Sequence, residues 1–153
     1  MREVRPRRFS IVVIDDNPAD SEMLRVALAE AGAPVDIEVM PNGQAALEYL
    51  GVIEGKPPSG SRPHPCDLVL LDLNLPCMNG FEVLERLRAA EHLKMLPVVM
   101  MSGSSNNEEI DRSYRLGANS YICKPPHLEE IFSTAARIVQ YWFGCVKLPS
   151  ASV

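Results

Sequence analysis

The sequence predicts an α/β domain in which a five-stranded parallel sheet is covered by helices on both faces. Short apolar, β-rich segments alternate with segments of helical periodicity, five times along the 153 residues, which is the pattern of a doubly wound sheet. Three of the apolar segments are almost continuously hydrophobic, as expected of strands that helices bury on both sides. The predicted strands lie at residues 10–14, 35–40, 68–73, 98–102 and 120–123.

The second strand and the helical segments show how the sheet should be arranged. Val35, Ile37 and Val39 alternate with acidic residues, which indicates an edge strand with one solvated face. The first helical segment begins with Asn17 and Pro18, residue types that are favoured at the N-cap and in the first turn. The predicted helices lie at residues 18–31, 43–50, 80–90, 106–116 and 127–143.

Composition and charge favour a globular domain that binds neither nucleic acid nor a membrane. The chain is 46% hydrophobic and 23% charged, with a formal net charge of −5, and negative charge opposes binding to nucleic acid phosphates. No segment approaches the ~20 apolar residues of a membrane span, and the apolar run at 11–14 is too short for a secretion signal. We therefore expect a cytoplasmic protein, whose four scattered cysteines are reduced packing residues.

The expected organisation is one domain at residues 9–143, between an N-terminal extension at 1–8 and a C-terminal tail at 144–153. This length fits a single ordinary domain without a separate output module. Residues 52–66 contain four prolines and two glycines, and we interpret them as a loop insertion that is mobile and dispensable for folding.

Charged and polar residues stand where four of the predicted strands end. Asp15 and Asp16 follow the first strand, Asp72 lies near the end of the third, Ser102 ends the fourth and Lys124 follows the fifth. Right-handed crossovers place the carboxyl ends of parallel strands at one edge of the sheet, so we expect these side chains to meet there.

This combination of residue types predicts phosphoryl transfer to a carboxylate. Three neighbouring carboxylates repel one another and call for a cation, and a ligand set made only of oxygen favours Mg²⁺. A carboxylate beside Mg²⁺ is a competent nucleophile for phosphorus. The ammonium group of Lys124 and the hydroxyl of Ser102 would then stabilise the negative charge of the transferred group.

Four segments that contain these residues resemble the motifs of response regulator receiver domains in two-component systems. The segments are VVIDDN, LVLLDLNLPCMNG, VVMMSGS and SYICKPP, and the resemblance covers about residues 9–143. It implies a flavodoxin-like fold with strand order 2-1-3-4-5. It also implies a signalling protein that assists its own phosphorylation and dephosphorylation, rather than an enzyme that turns over a substrate.

The resemblance also assigns an acceptor and a metal site. Carried over by position, Asp72 is the phosphorylated residue, and Asp16 and Asp72 bind Mg²⁺ directly. The backbone carbonyl of Asn74 would complete the site, and Asp15 would act largely through water.

A switch and a phosphate contact follow from the same resemblance. Ser102 and Tyr121 would form the switch pair, and Lys124 would contact the phosphoryl group. Receiver domains aim this lysine with a turn at the following proline, so we expect a cis peptide bond between Lys124 and Pro125. Gly80 and Gly103 are interpreted as positions where the backbone needs a tight turn or a close approach.

A narrower similarity concerns the long loop, the NLPCMNG segment and the end of the chain. These resemble the small response regulators that pair with bacterial phytochrome histidine kinases, which implies a sensor histidine kinase as partner and a role in phytochrome light signalling. We also expect a homodimer through helix 106–116, strand 120–123, helix 127–143 and the tail, because Trp142 and Phe143 cannot both face the core and the tail is apolar. The alternative is a tail that folds back on its own subunit.

Three other functions stay open on the sequence alone. A phosphatase of the haloacid dehalogenase type also uses an aspartyl nucleophile with Mg²⁺, but it needs Asp-x-Asp on its first strand, whereas Asp72-Leu73-Asn74 lies on the third. A pseudo-receiver would keep the fold without being phosphorylated. A phosphorelay intermediate would serve another sensor kinase and pass the phosphoryl group to a further histidine protein.

Overall fold

The computed structural model describes residues 7–52 and 65–150 and contains one five-stranded parallel sheet. Its strands are β1 (Phe9–Ile14), β2 (Val35–Met40), β3 (Leu68–Leu71), β4 (Val98–Ser102) and β5 (Ser120–Cys123). They follow the order β2-β1-β3-β4-β5, with all neighbours parallel. The predicted topology and the edge position of β2 are confirmed. The predicted mobile loop falls mostly at residues 53–64, outside the described residues.

In the described part of the chain, five α-helices connect and follow the strands. They are α1 (Pro18–Ala29), α2 (Gly43–Tyr49), α3 (Gly80–Ala89), α4 (Asn107–Arg115) and α5 (Leu128–Val139). The first four begin after an asparagine whose side chain accepts a hydrogen bond from the first turn, and this cap explains why each helix starts there. No helix within the two described ranges is long and apolar enough to cross a membrane.

The core consists of two apolar layers, one on each face of the sheet. Successive strand residues point to opposite faces, so Val12 and Ile14 pack into the layer that contains α2 and α3. Ile11 and Val13 pack into the layer that contains α1 and α5. Burial on both faces accounts for the continuously hydrophobic central strands.

The end of the last helix differs from the prediction. After Val139 the chain continues as a π-helix at Gln140–Cys145, so Gly144 does not end the helix. The wider turn lets both Trp142 and Phe143 pack against the core, and the Phe143 ring stacks on Phe9 with 4.3 Å between ring centroids. The expectation that one of these two aromatics faces away from the core is therefore wrong, and it is Tyr141 that is 53% exposed.

The tail continues from the π-helix in an extended conformation at Val146. Leu148, Pro149 and Ser150 line a small cavity together with Cys66 and other residues near the starts of β3 and β4. The described part of the tail therefore folds back on its own subunit, which is the alternative that the sequence left open.

Candidate functional site

Three aspartates meet at the carboxyl edge of the sheet. The Asp72 amide donates to the Ile14 carbonyl oxygen over 3.0 Å, which places the residue after β3 beside the end of β1. One carboxylate oxygen from each of Asp15, Asp16 and Asp72 lies within 4.8 Å of the others. Asp15 and Asp72 are 5% and 7% exposed, while Asp16 is open to solvent.

This cluster suits a divalent cation. Within residues 7–52 and 65–150 it is the one group of His, Cys, Asp or Glu side chains with the spacing of a metal site. All of its donors are carboxylate oxygens, the ligands that hard cations such as Mg²⁺ and Mn²⁺ prefer. Asp15, Asp16 and Asp72 therefore fit the metal that the sequence predicts.

Lys124 reaches this cluster from the end of β5. Its Nζ donates to Asp72 Oδ2 over 2.8 Å and to Asp15 Oδ2 over 3.0 Å. Burial alone would lower the pKa of the Lys124 ammonium, but the two carboxylates outweigh it and raise that pKa above its ordinary value. The pKa of Asp72 is also raised, because burial outweighs the effect of the neighbouring lysine. An ammonium group whose charge the neighbouring carboxylates favour thus lies beside the predicted acceptor.

The peptide bond between Lys124 and Pro125 is trans, so the predicted cis bond is wrong. The Lys124 amide donates to the Ser102 carbonyl oxygen over 2.7 Å, which extends the pairing of β5 with β4. From that position the side chain reaches both carboxylates with the ordinary trans backbone, which X–Pro bonds favour by ~0.5–1 kcal/mol.

The loop after β3 holds the Asp72 carboxylate from its other side. The Asn74 amide donates to Asp72 Oδ1 over 3.2 Å, so Asn74 is at the site, and the role predicted for its carbonyl oxygen stays a prediction.

The same loop contains a tight turn at Cys77. Cys77 has a φ of +66°, and the Met78 amide donates to the Pro76 carbonyl oxygen over 2.7 Å. This is a tight γ-turn of the kind that is rare and strained.

Gly80 lets α3 begin directly against the acceptor. A Cβ atom at this position would lie 2.3 Å from the carbonyl oxygen of Asp72 and 2.8 Å from the Cα of Leu73. The Gly80 amide also donates to the Leu73 carbonyl oxygen over 2.9 Å. The close approach that the sequence suggested for this glycine is therefore present, and it is made to the backbone of the acceptor residue.

The predicted switch residues meet at the loop between β4 and α4. Ser102 is fully buried, and its Oγ accepts a hydrogen bond from the Ser104 amide over 3.2 Å. The half-buried Tyr121 donates its hydroxyl to the Ser104 carbonyl oxygen over 2.8 Å, and burial raises the pKa of Tyr121. Both hydroxyls thus engage the backbone of Ser104 rather than the carboxylate cluster.

One residue of the site lies on a helix rather than at the end of a strand. Asp20, in the first turn of α1, places Oδ2 3.7 Å from the Nζ of Lys124. The rule that gathers strand ends at one edge does not include Asp20, although a helix that begins just after β1 also turns its first residues toward this edge. The N-cap at Asn17 was the available signal, because it places Asp20 in that first turn.

A family model for the response regulator receiver domain matches residues 11–136. The chain belongs to this family. Among the relatives of this receiver domain, "Probable methanogenesis regulatory protein FilR2" of Methanothrix harundinacea is 36% identical over 92% of the chain and 88% of its own length. "Response regulator Rcp1" of Synechocystis is 33% identical over 92% of the chain and 93% of its own length.

Solved structures agree with this assignment of the receiver domain. The phosphorylated cyanobacterial phytochrome response regulator RcpA is 38% identical with a TM-score of 0.82, over 94% of this chain and 100% of that one. The Mn²⁺-bound form of Rcp1 is 32% identical with a TM-score of 0.79, over 93% and 99%. The protein is thus a signalling component of a two-component system, with a histidine kinase as partner and a divalent-metal site at the aspartate cluster.

Proposed function

We propose that this receiver domain accepts a phosphoryl group from a histidine kinase onto Asp72, in a reaction that requires Mg²⁺ and takes place in the cytoplasm. The observation that most supports this is the position of Asp72. It is nearly buried, shares a cluster with two further carboxylates and accepts a 2.8 Å hydrogen bond from Lys124. Asp72 thus lies beside both an ammonium group and a carboxylate cluster that suits a divalent cation.

The transfer follows from these neighbours. A carboxylate oxygen of Asp72 attacks the donor phosphorus, the bond from phosphorus to the donor's imidazole nitrogen breaks, and its electron pair returns to the imidazole. Asp16, Asp72 and the backbone carbonyl of Asn74 would hold Mg²⁺, with Asp15 acting largely through water, and the bound ion would supply positive charge for the phosphoryl oxygens. Lys124 supplies a second positive charge when its Nζ turns from the carboxylates to the phosphoryl group.

Intact-mass measurement on the wild-type chain tests this proposal. With acetyl phosphate and Mg²⁺ the chain should gain the mass of one phosphoryl group, and prior removal of the metal by a chelator should prevent the gain. Hydroxylamine should remove the group, because it cleaves acyl phosphates. If neither acetyl phosphate nor a phosphorylated histidine kinase modifies the chain, it is a pseudo-receiver instead.

The structural relatives favour a bacterial phytochrome as the cognate kinase. RcpA is described as a phytochrome response regulator, and a further relative, at 32% identity and a TM-score of 0.69, is described as a bacteriophytochrome response regulator. We therefore propose phytochrome light signalling, with onward relay to another histidine protein as the alternative route. A phytochrome kinase should phosphorylate the chain faster than an unrelated histidine kinase, and equal rates would count against this partner.

The switch is expected to couple Asp72 to α4 through Ser102 and Tyr121. Of the α4 residues only Ser113 is buried, so this helix can shift at little cost. Ser102→Ala should leave phosphorylation of Asp72 possible but abolish most of the difference in kinase binding between the phosphorylated and unmodified forms. Ser21→Ala, which also removes a buried serine hydroxyl but from α1 rather than α4, is the control. An undiminished difference in Ser102→Ala would refute this coupling.

We also propose a homodimer through α4, β5 and α5, without the tail, whose described part packs on its own subunit. This face carries three exposed large side chains, Tyr114, Leu128 and Tyr141, and a groove of about 550 Å³ runs between β5 and α5. Exposed apolar groups gathered on one face are typical of a contact surface.

Sedimentation at micromolar concentration tests the dimer. The wild-type chain should sediment as a dimer and Tyr141→Ser as a monomer, because the exposed ring lies beside the groove. Glu48→Ser is the control, since Glu48 is exposed on α2, which packs near β2, the edge strand opposite β5. A chain ending at Cys145 should dimerise as the full chain does, because the described part of the tail packs on its own subunit. A monomeric wild-type chain would rule the dimer out.

A further inference from the structure

Lys124 has a third carboxylate neighbour that lies outside the metal cluster. The Oδ2 atom of Asp20 is 3.7 Å from the Nζ of Lys124, and the Asp20 side chain is 54% exposed. Asp20 does not belong to the trio of Asp15, Asp16 and Asp72 whose oxygens lie within 4.8 Å of one another. A metal bound by that trio would therefore leave the charge of Asp20 uncompensated.

The surroundings of Lys124 give its side chain room on the side of α1. A cavity of about 70 Å³ lies beside Lys124, lined by Asp15 and Asp20 together with the apolar residues Leu24, Met101, Pro125 and Ile131. A lysine side chain is a flexible stem that ends in a compact charge. The ammonium group can therefore swing between the acceptor Asp72 and the carboxylate of Asp20.

We propose that Asp20 is a positioning residue that competes with the phosphoryl group for Lys124. The inference rests on the proposed function, in which Lys124 leaves Asp72 and Asp15 for the oxygens of the transferred group. A metal held by the cluster would occupy those two carboxylates, whereas Asp20 lies outside the cluster and would keep its charge and its reach to the ammonium. Asp20 therefore draws Lys124 away from the phosphoryl group and weakens its hold on the modified state.

The test compares Asp20→Asn with Glu22→Gln. Both changes remove one negative charge from an exposed position on α1, but Glu22 pairs with Arg25 rather than with Lys124. Because partly exposed ion pairs contribute little, Asp20→Asn should strengthen the binding of beryllofluoride, a phosphoryl analogue, in the presence of Mg²⁺ by only about two- to fivefold. The initial rate of phosphorylation by acetyl phosphate should rise by a similar factor.

The control variants make the outcome decisive. Glu22→Gln should bind beryllofluoride as the wild-type chain does, and Asp20→Glu, which restores a carboxylate, should return the affinity to the wild-type value. Equal gains in Asp20→Asn and Glu22→Gln would show a general charge effect and overturn the inference, as would an unchanged or weaker Asp20→Asn. A wild-type chain that accepts no phosphoryl group overturns the proposed function as well, so the two failures are distinguishable.

Discussion

The Asp72→Asn protein should gain no phosphoryl group under conditions in which the wild-type chain is fully modified. An amide is a poor nucleophile for phosphorus and a weaker ligand for Mg²⁺ than a carboxylate. The change keeps the shape of the side chain, and Lys124 keeps its 3.0 Å hydrogen bond to Asp15, so the fold should survive. Intact mass after acetyl phosphate and Mg²⁺ gives the result, and a melting curve confirms that the protein is folded.

Asp36→Asn is the matched control for this experiment. Asp36 is an exposed aspartate near the amino end of β2 that pairs with Arg8, far along the strand from the carboxyl edge. Its replacement should leave the extent of phosphorylation unchanged. A phosphoryl group on the Asp72→Asn protein would show that another residue is the acceptor.

Gly80→Ala should destabilise the domain more than any other single methyl addition proposed for this chain. The new Cβ atom would lie 2.3 Å from the Asp72 carbonyl oxygen and 2.8 Å from the Leu73 Cα, and no side-chain rotation can relieve a clash with backbone. Either α3 or the strand end must move. We expect a loss of about 3 kcal/mol in the free energy of unfolding, which lowers Tm by roughly 6–12 °C in a domain of this size.

Gly103→Ala provides the comparison. A Cβ atom at Gly103 would have no heavy atom beyond its chain neighbours within 4 Å, so the close approach that the sequence suggested for Gly103 is absent. The melting temperature of Gly103→Ala should therefore stay close to that of the wild-type chain. Because the Gly80 clash falls on the backbone of Asp72, Gly80→Ala should also slow phosphorylation of Asp72 at temperatures at which the variant is still folded. Equal melting temperatures for the two variants would disprove the tight contact at α3.

The topology and most of the site could be predicted from the sequence because both follow from rules of chain connection. Alternating strands and helices with right-handed crossovers leave few arrangements, and all of them bring strand ends to one edge. Asp15, Asp72 and Lys124 therefore meet although they are far apart in the chain. The asparagine caps likewise set the helix starts, because their effect is local.

The features that escaped prediction depend on packing between distant segments. The π-helix at Gln140–Cys145 forms where Phe143 stacks on Phe9. No local sequence pattern predicts that contact. The trans bond between Lys124 and Pro125 is the form that X–Pro bonds ordinarily favour, whereas the cis form was implied by the family resemblance alone. Asp20 was missed because its distance to Lys124 depends on the angle at which α1 leaves β1, and sequence periodicity does not report that angle.

Chemical tagging of the modified residue tests the central proposal most directly. Borohydride reduces an aspartyl phosphate to homoserine, so wild-type protein treated with acetyl phosphate and Mg²⁺ and then reduced carries a permanent mark at its acceptor. Tandem mass spectrometry of the peptides should place homoserine at position 72 and leave Asp15, Asp16 and Asp20 unchanged. Homoserine at any other position, with Asp72 intact, would contradict the assignment of Asp72 as the phosphoryl acceptor.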